Sequence, residues 1–209
     1  MIVSSLGLAW LPIAAYLLGS IPFGLLIAKL RGRNDLRETG SGNIGATNVT
    51  RVVGVGEGLV TLLLDAGKGM LSVWLAARFS HDSIVWIMVS GMAVILGHLF
   101  PVWLGFRGGR GVATGAGVFL FICPEATVWA ILLWVIVVAF WRYVSLGSIA
   151  AGVAMLFLVY LLWAPPHAPP LVVSLGVSLA SVLIILKHRR NIERLLVGTE
   201  PQLTLRRSK

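Results

Sequence analysis

Long apolar runs alternate with short polar segments along almost the whole chain. A helix needs about 20 apolar residues to cross the hydrocarbon core of a bilayer, and it bonds its own backbone internally. Seven runs approach this pattern: Leu6 to Leu30, Gly58 to Ala77, Ile84 to Leu104, Val112 to Ile122, Ala126 to Phe140, Val144 to Trp163 and Leu171 to Leu186. The fourth and fifth are short, so they are two half-length helices meeting near Pro124 or one span kinked there. We predict an all-α, polytopic membrane protein with about seven transmembrane helices, with six spans as the alternative.

Composition agrees with a membrane protein built as one domain. Of the 209 residues, 57% are hydrophobic and 12% are charged, whereas about a quarter of the residues in a soluble domain are charged. No linker-like segment divides the chain, so we predict a single domain over residues 1–209. The one cysteine, Cys123, excludes an intrachain disulfide and a cysteine-rich metal site. No Asp, Glu or His cluster has metal-ligand spacing, so we expect no metal and no cofactor.

The distribution of lysine and arginine predicts the orientation. With seven spans and the N-terminus outside, Arg78 is the only one of these residues in an outside segment, and Lys68 lies within the second span. All the others fall inside, as the positive-inside rule requires, with the C-terminus in the cytoplasm. Six spans would move either Arg142 or the basic tail outside. The net charge of +9 is thus explained without nucleic acid, and no recognition helix or aromatic-basic patch is visible.

The first of two glycine-rich polar loops runs from Thr39 to Asn48, on the predicted cytoplasmic side. Glycine lets backbone amides approach a ligand closely, and hydroxyl, amide and guanidinium groups can bind phosphate oxygens. No G-K-[ST] sequence closes the loop, so nucleotide binding is not implied. We predict a phosphate site formed by Ser41, Gly42, Asn43, Gly45, Thr47, Asn48 and Arg51.

The second loop runs from Gly105 to Thr114, on the same predicted side. An apolar run follows Gly111, which places the glycines at a helix N-terminus, where free N–H groups and the helix dipole favour an anion. His98 lies near the end of the preceding span, and we expect it to be packed and hydrogen-bonded. The predicted phosphate-binding residues here are Arg107, Gly108, Gly109, Arg110, Gly111 and Thr114.

Other polar residues lie at membrane depth or near the last span. Asp65 and Lys68 share one helix face, so they form an ion pair, or Lys68 points at an anionic ligand with Asp65 fixing it; the spacing leaves both open. His188 and Asn191 are three residues apart and share a helix face. His188 and Glu193 are not a plausible catalytic dyad, because five residues separate side chains by about 140° on a helix.

Together these segments resemble one family, the bacterial acyl-phosphate:glycerol-3-phosphate acyltransferases (PlsY type). The matching stretches follow the family's order over nearly the whole chain. They are Gly19-Ser-Ile-Pro-Phe-Gly24, Gly40-Ser-Gly-Asn-Ile-Gly-Ala-Thr-Asn48 with Arg51, Asp65-Ala-Gly-Lys-Gly69, Gly97-His-Leu-Phe-Pro101, Phe106-Arg-Gly-Gly-Arg-Gly-Val-Ala-Thr114, His188-Arg-Arg-Asn-Ile-Glu-Arg-Leu195 and Gly198-Thr-Glu200.

The resemblance implies an inner-membrane enzyme of bacteria whose motifs face the cytoplasm. Such enzymes move a fatty acyl group from acyl-phosphate, not acyl-CoA or acyl-carrier protein, to the sn-1 hydroxyl of glycerol 3-phosphate. The products are lysophosphatidic acid and phosphate, and functional coupling to the enzyme that makes acyl-phosphate is expected. By position, Ser41 and Arg51 belong to the site, the second-loop glycines bind phosphate, His188 and Asn191 support catalysis, and Glu200 is structural. One departure is that the family usually has lysines where this chain has Arg107 and Arg110.

A mechanism consistent with these residues brings two anionic head groups together at the membrane surface. Lys68, Arg51, Arg110 and the glycine amides would neutralise them, and the glycerol hydroxyl would attack the acyl carbonyl directly. Ser41, Asn191 or His188 would stabilise the oxyanion or orient the nucleophile. The base is either His188 or the donor's own phosphate; we favour the phosphate, because no carboxylate is placed to orient His188. The rival interpretation is a transporter of phosphorylated solutes, but the loops are not repeated in the two halves of the chain.

Overall fold

The computed structural model describes residues 5–33, 35–163 and 168–203, and every regular element among them is helical. The all-α prediction is therefore confirmed. The basic tail residues Arg206, Arg207 and Lys209 lie outside the described residues. The helices are α1 Trp10–Gly19, α2 Phe23–Leu30, α3 Ala46–Val52, α4 Val55–Ser80, α5 Ile84–Leu99, α6 Val112–Ile122, α7 Pro124–Trp141, α8 Val144–Leu161, α9 Leu171–Lys187 and α10 Arg189–Leu196.

Five helical segments are long and apolar enough to cross a membrane, and a bent pair makes a sixth. The five are Trp10–Leu30, Val55–Ser80, Ile84–Leu104, Pro124–Trp141 and Val144–Leu161. The bent pair joins α9 to α10 at an angle of 54°. All seven predicted apolar runs are helical, but α6 has only 11 residues. At a rise of about 1.5 Å per residue it covers roughly half of the hydrocarbon core, so length supports five or six full spans, not seven.

Pro124 separates a short helix from a full-length one. Of the two half-length helices that were one alternative here, only α6 is short. The prediction is wrong for α7, which starts at Pro124 and continues for 18 residues. Proline suits the first turn of a helix, where its missing N–H has no helical acceptor anyway. The preceding residue, Cys123, has left the helical conformation with φ −142° and ψ 73°. The helical conformation is therefore interrupted between α6 and α7 at this residue.

Pro22 divides the first span into α1 and α2. Proline has no N–H to donate to the carbonyl four residues earlier, and its ring crowds that carbonyl, so a helix ends before it. Here Pro22 has φ −91° and ψ 73°, and the helix resumes at Phe23. The carbonyl oxygen of Ile21, at the break, accepts a hydrogen bond of 2.9 Å from the Nζ of Lys68 in α4. The break thus joins the first span to a charged residue of the second.

Glycines bring several helix backbones into direct contact. A Cβ atom on Gly19 of α1 would overlap the carbonyl of Val94 in α5, and one on Gly97 of α5 would overlap the carbonyl of Tyr16. In α4 and α6, Gly69 lies against the carbonyl of Thr114 in the same way. Small residues at helix interfaces allow this approach, which gains van der Waals contact in a lipid environment. The α1–α5 and α4–α6 pairs are therefore set by glycine, beside an apolar core that α1 and α4 to α9 share.

Adding one methyl group at the α4–α6 contact should destabilise the protein. A Cβ on Gly117 of α6 would overlap the carbonyl of Ala66, whereas a Cβ on Gly67 of α4 has nothing within 4 Å. We expect Gly117→Ala to cost about 1–3 kcal/mol through overpacking, and Gly67→Ala to be neutral or slightly stabilising because alanine favours helix. Thermal unfolding of the two variants in detergent measures the difference. Equal unfolding midpoints would contradict the close α4–α6 packing.

Candidate active site

Asn48 closes the first polar loop from within. It is 1% exposed, and its Oδ1 accepts a hydrogen bond of 2.8 Å from the Ser41 amide. Its Nδ2 donates to the carbonyl oxygens of Leu36 and Thr39, both at 3.0 Å. These bonds use both amide hydrogens, so Asn48 shapes the loop. The binding of phosphate by Asn48 stays a prediction, and the structure shows its side chain bonded within the loop.

Other loop amides are also bound internally. The Gly42 amide donates to the Thr39 carbonyl at 3.1 Å, and the Gly45 amide donates to Oδ1 of Asn43 at 3.1 Å. The Gly42 and Gly45 amides therefore have partners within the loop, and the phosphate-binding role of these residues and of Asn43 stays a prediction. Gly42 is needed for its left-handed backbone, with φ +68°. The hydroxyls of Ser41 and Thr47 are half-buried, and neither has a hydrogen-bond partner among the described residues.

The second loop folds back over His98. The Gly109 amide donates to the His98 carbonyl at 3.0 Å, and the Gly108 amide donates to the Leu99 carbonyl at 3.2 Å. A Cβ on Gly109 would overlap the His98 ring, and one on Gly108 would overlap the His98 carbonyl oxygen. These two glycines therefore allow close approach to α5, and their amides are occupied. The binding of phosphate by Gly108 and Gly109 stays a prediction, with both amides bonded to α5 in this structure.

The predicted helix N-terminus after the second loop is confirmed. Gly111 adopts φ +82° and α6 begins at Val112. The first N–H groups of a helix have no acceptor within it, and they carry the positive end of the helix dipole. The Oγ1 atom of Thr114, in this first turn, is buried and has no partner among the described residues. The anion-binding potential of the second loop thus lies at Gly111 to Thr114, beyond its double glycine.

The carbonyl groups at the end of α5 receive partners from three parts of the chain. Besides the two loop amides, Lys187 Nζ donates to the Leu99 carbonyl at 2.8 Å and lies 3.9 Å from the centroid of the Phe100 ring. The Tyr16 hydroxyl donates to the Phe100 carbonyl at 2.8 Å. Sequence analysis missed Tyr16 and Lys187, because neither belongs to a polar motif. Together these bonds fix the start of the second loop to α1 and α9.

Asp65, Lys68 and His98 form a buried network between α4 and α5. Lys68 Nζ lies 2.7 Å from Asp65 Oδ1, and His98 Nδ1 lies 3.5 Å from the same oxygen. All three side chains are 6% exposed or less. With its further bond to the Ile21 carbonyl, Lys68 contacts protein groups. The geometry thus favours the ion-pair alternative for Lys68 and adds His98 to the pair.

Glu200 organises the end of the chain. Its Oε1 accepts hydrogen bonds from Ser145 Oγ at 2.6 Å and Asn191 Nδ2 at 2.7 Å. Its Oε2 accepts a bond from Arg194 Nε at 2.7 Å. Burial alone would raise the pKa of Glu200, but the three hydrogen bonds outweigh it and lower the pKa below its ordinary value. Glu200 is therefore ionised at neutral pH, in the structural position that the resemblance implied; Ser145 and Arg194 were not predicted as site residues.

His188 lies at the bend between α9 and α10. It is 1% exposed, and its Nδ1 lies 2.8 Å from the Ile184 carbonyl oxygen. A carbonyl only accepts, so Nδ1 carries a hydrogen and Nε2 is the ring atom available for chemistry. No carboxylate hydrogen-bonds His188 among the described residues, and Glu193, on the exposed side of α10, is not its partner.

Three arginines from separate motifs form what we call the cationic cluster: Arg51, Arg110 and Arg194. Arg51 Nη2 donates to the carbonyl of Pro201, which follows Glu200, at 3.1 Å. Burial lowers the pKa of Arg110 to about 10, with the Glu200 carboxylate opposing and the other two arginines adding to the shift. Burial also lowers the pKa of Arg51. Arg107, by contrast, is exposed and makes no ion pair with the described residues, so only one of the two predicted loop arginines joins the site.

Several buried polar atoms around this cluster have no partner among the described residues. They are Arg51 Nε, Arg194 Nη2 and Asn191 Oδ1, besides Thr114 Oγ1. Buried polar groups in proteins are nearly always hydrogen-bonded, so a group of exceptions indicates a bound molecule that completes them. Two of these atoms are guanidinium nitrogens, which suit an oxyanion. No three His, Cys, Asp or Glu side chains within residues 5–33, 35–163 and 168–203 are grouped to hold a metal ion.

The stability of the Asp65 and Lys68 variants should reveal the buried ion pair. Asp65→Asn removes the counter-charge and leaves the Lys68 ammonium buried, which costs about 3–5 kcal/mol. The double variant Asp65→Asn/Lys68→Met removes both charges, so we expect it to recover much of that loss. Thermal unfolding in detergent compares the two with the wild type. A single variant as stable as the wild type, or a double variant no better than the single, would contradict the pair.

The chain is similar to known proteins over nearly its whole length. The family model described as glycerol-3-phosphate acyltransferase matches residues 9–198. A glycerol-3-phosphate acyltransferase of Trichlorobacter lovleyi is 47% identical over 93% of this chain and 96% of the relative. Another from Mesorhizobium japonicum is 44% identical over 94% of this chain and 96% of the relative.

Solved structures agree with these relatives. The crystal structure of PlsY (YgiH), an integral membrane glycerol 3-phosphate acyltransferase, in its glycerol 3-phosphate form superimposes with a TM-score of 0.86 at 41% identity. The match covers 94% of this chain and 96% of that one. The lysophosphatidic acid form gives a TM-score of 0.84 at 40% identity, over 95% and 96% of the two chains. The resemblance inferred from the motifs is confirmed, and the chain belongs to the glycerol-3-phosphate acyltransferase family.

Proposed function

We propose that this protein transfers a fatty acyl group from an acyl-phosphate to the sn-1 hydroxyl of glycerol 3-phosphate. The products are lysophosphatidic acid and inorganic phosphate, and the reaction belongs to phospholipid synthesis. Family membership supports the acceptor, since relatives are named for glycerol 3-phosphate and one was solved with it. The motif resemblance supports the acyl-phosphate donor.

The observation that carries the proposal is the cationic cluster with its unsatisfied nitrogens. Both proposed substrates have an anionic head group, and the reaction brings the two groups into one site. Arg51 Nε and Arg194 Nη2 are buried and unpaired among the described residues. Arg110 keeps its charge near neutral pH, since its pKa is about 10. Further donors are available in the first turn of α6 and in the Ser41 and Thr47 hydroxyls. Together these groups could bind two phosphates rather than one.

The chemistry proceeds by direct attack of the glycerol hydroxyl on the acyl carbonyl carbon. A bond forms between the hydroxyl oxygen and that carbon, and the bond from the carbon to the phosphate oxygen breaks. Phosphate is a good leaving group, so an acyl-enzyme is unnecessary. Cys123, 5% exposed at the α6–α7 junction, is not a nucleophile in this scheme. The site therefore acts by holding the two head groups in line and stabilising charge.

The donor's own phosphate takes the hydroxyl proton as it leaves. In support, His188 has no hydrogen-bonded carboxylate among the described residues to stabilise an imidazolium, and the neighbouring Arg110 disfavours one. His188 instead orients the nucleophile through Nε2. Lys68 was predicted to neutralise phosphate, but its contacts with Asp65 and Ile21 give it a structural role in this scheme. Its effect on catalysis would then be indirect.

The protein is proposed to lie in the inner membrane with the cationic cluster facing the cytoplasm. With the short α6 counted as a crossing beside the six longer ones, the N-terminus is then outside and the C-terminus inside, which follows from the distribution of basic residues over the loops. The cluster lies beside the inside end of α8, where Ser145 contacts Glu200. This orientation would let a cytoplasmic acyl-phosphate-producing enzyme deliver its product directly, and membrane lipid surrounds the remaining helices.

Donor specificity tests the proposed reaction. Purified protein in a lipidic medium receives glycerol 3-phosphate with palmitoyl-phosphate, or with palmitoyl-CoA, and released phosphate and lysophosphatidic acid are measured. We expect equimolar products from palmitoyl-phosphate alone. Arg51→Ala should lose roughly 100-fold in kcat/KM, because it removes charge-assisted bonds. Arg78→Ala removes an exposed arginine in the last turn of α4. It is the matched control and should retain activity.

Two results would overturn this assignment in different ways. Product from palmitoyl-CoA at a comparable rate would make the donor proposal wrong while leaving the acyl transfer intact. No product from either donor, with protein shown to be folded, would leave anion binding without chemistry and favour the transporter.

The pH dependence of a His188 variant tests the proposed base. If His188 were the base, its removal would cost roughly 10²–10⁴-fold at neutral pH, and rising pH would progressively restore the rate. We expect instead that kcat of His188→Ala is reduced by the same factor from pH 6 to pH 9 at saturating substrate. Arg189→Ala, an exposed neighbour, is the control. Recovery of the His188→Ala rate at high pH would assign the base to His188.

A further inference from the structure

The segment from Glu200 to Leu203, which we call the strap, is bonded at both ends to the junction between α7 and α8. At its first residue, Glu200 Oε1 accepts a bond of 2.6 Å from Ser145 Oγ in the first turn of α8. At its last residue, the Leu203 amide donates to the Arg142 carbonyl at 2.7 Å. Arg142 Nη2 in turn donates to the Leu203 carbonyl at 3.1 Å. Arg142 therefore bonds both backbone polar groups of the residue that ends the strap.

Arg142 has a backbone conformation that ordinarily suits glycine. It follows the last residue of α7, Trp141, and has φ +61° and ψ +15°, in the left-handed region. A residue with a side chain is strained in this region, whereas glycine is not. Here the side chain is exposed, but it reaches the Leu203 carbonyl. The turn after α7 thus directs both the carbonyl and the guanidinium of Arg142 towards the strap.

The middle of the strap contacts the cationic cluster through one group. Pro201 has no N–H and its ring fixes φ, so its carbonyl is its only hydrogen-bonding group. That carbonyl accepts a bond of 3.1 Å from Arg51 Nη2. A guanidinium is planar, so a bond at one nitrogen restrains the direction of the others. Arg51 Nε is buried and has no partner among the described residues, so the strap restrains a nitrogen that is left for a ligand.

We propose that Arg142 is a positioning residue for Arg51 and acts through the strap. This inference rests on the proposed function, in which Arg51 binds a substrate phosphate. Arg142 is bonded to Leu203, two residues beyond the carbonyl that Arg51 contacts. Loss of its guanidinium would loosen the Leu203 end of the strap, and the Pro201 carbonyl would then restrain Arg51 less. Glu200 would keep its bond from Ser145, so the effect is smaller than the loss of Arg51 itself.

A double-mutant cycle between Arg142 and Arg51 tests this connection. Arg142→Gly removes the guanidinium, and glycine adopts the left-handed backbone without strain, so the Leu203 amide keeps its acceptor. We expect Arg142→Gly to lower kcat/KM for glycerol 3-phosphate about fivefold, which corresponds to the loss of one hydrogen bond. In the Arg51→Ala background we expect a loss of less than twofold, because the group that Arg142 positions is gone. Lysophosphatidic acid formed from palmitoyl-phosphate measures both rates.

Gln202→Ala is the matched control, and Arg142→Lys is the rescue. Gln202 is exposed within the strap, and its side chain has no hydrogen-bond partner among the described residues, so its removal should change kcat/KM less than twofold. A lysine can still donate one bond to the Leu203 carbonyl, so Arg142→Lys should come within twofold of the wild type. A merely structural role of Arg142 would lower the active fraction by the same factor in both backgrounds. That result, or an Arg142→Gly variant with wild-type kcat/KM, would overturn the proposal.

The outcomes separate this inference from the proposed function. Folded wild-type protein that forms no lysophosphatidic acid from palmitoyl-phosphate would refute the proposed function, and this inference with it. Wild-type protein that forms lysophosphatidic acid, with the same loss from Arg142→Gly in the two backgrounds, would refute only the role of Arg142.

Discussion

The backbone carbonyls at the end of α5 are the point on which the rest of the site depends. A carbonyl without a partner at membrane depth costs several kcal/mol, and a helix leaves its last carbonyls unpaired. Here the Gly109 amide donates to the His98 carbonyl. The Leu99 carbonyl accepts from both the Gly108 amide and Lys187. The double glycine therefore folds the second loop back against α5. That fold places the next residue, Arg110, where it faces the Glu200 carboxylate.

The same constraint explains the charged residues of α4. The Pro22 break leaves the Ile21 carbonyl between two helices, and Lys68 supplies its partner. A buried ammonium needs a counter-charge, which Asp65 provides, and Asp65 in turn contacts His98 directly beneath Gly109. One proline in the first span is thus connected to the second glycine loop through two charged side chains. Polar residues deep in a membrane protein are often read as ligand contacts, but here they connect helices.

The sequence predicts the features that neighbouring residues determine, but it does not predict those that depend on residues far apart in the chain. Helix positions follow from local hydropathy, and all the predicted apolar runs are helical, including the short α6. The helix start after Gly111 also follows locally, from the end of the glycine run. The partners of the loop amides do not, because the acceptors of Gly108 and Gly109 lie on another helix. Tyr16 was missed for the same reason: its acceptor, the Phe100 carbonyl at the end of α5, is a residue that only the fold brings near.

The arginines that replace the family's usual lysines bear on the chemistry of the site. Arg107 is exposed, while Arg110 lies in the cationic cluster, where burial brings its pKa to about 10. Burial would lower the pKa of a lysine as well, and it would do so from a lower ordinary value, so a lysine here would release its proton more readily than an arginine. A guanidinium with a pKa near 10 keeps its proton throughout the physiological range. At this position the chain therefore holds a fixed positive charge, which suits the phosphate binding proposed for Arg110. In the proposed reaction the proton released by the attacking hydroxyl goes to another group, and the departing phosphate, which gains negative charge as its bond to carbon breaks, is an acceptor that the reaction itself supplies.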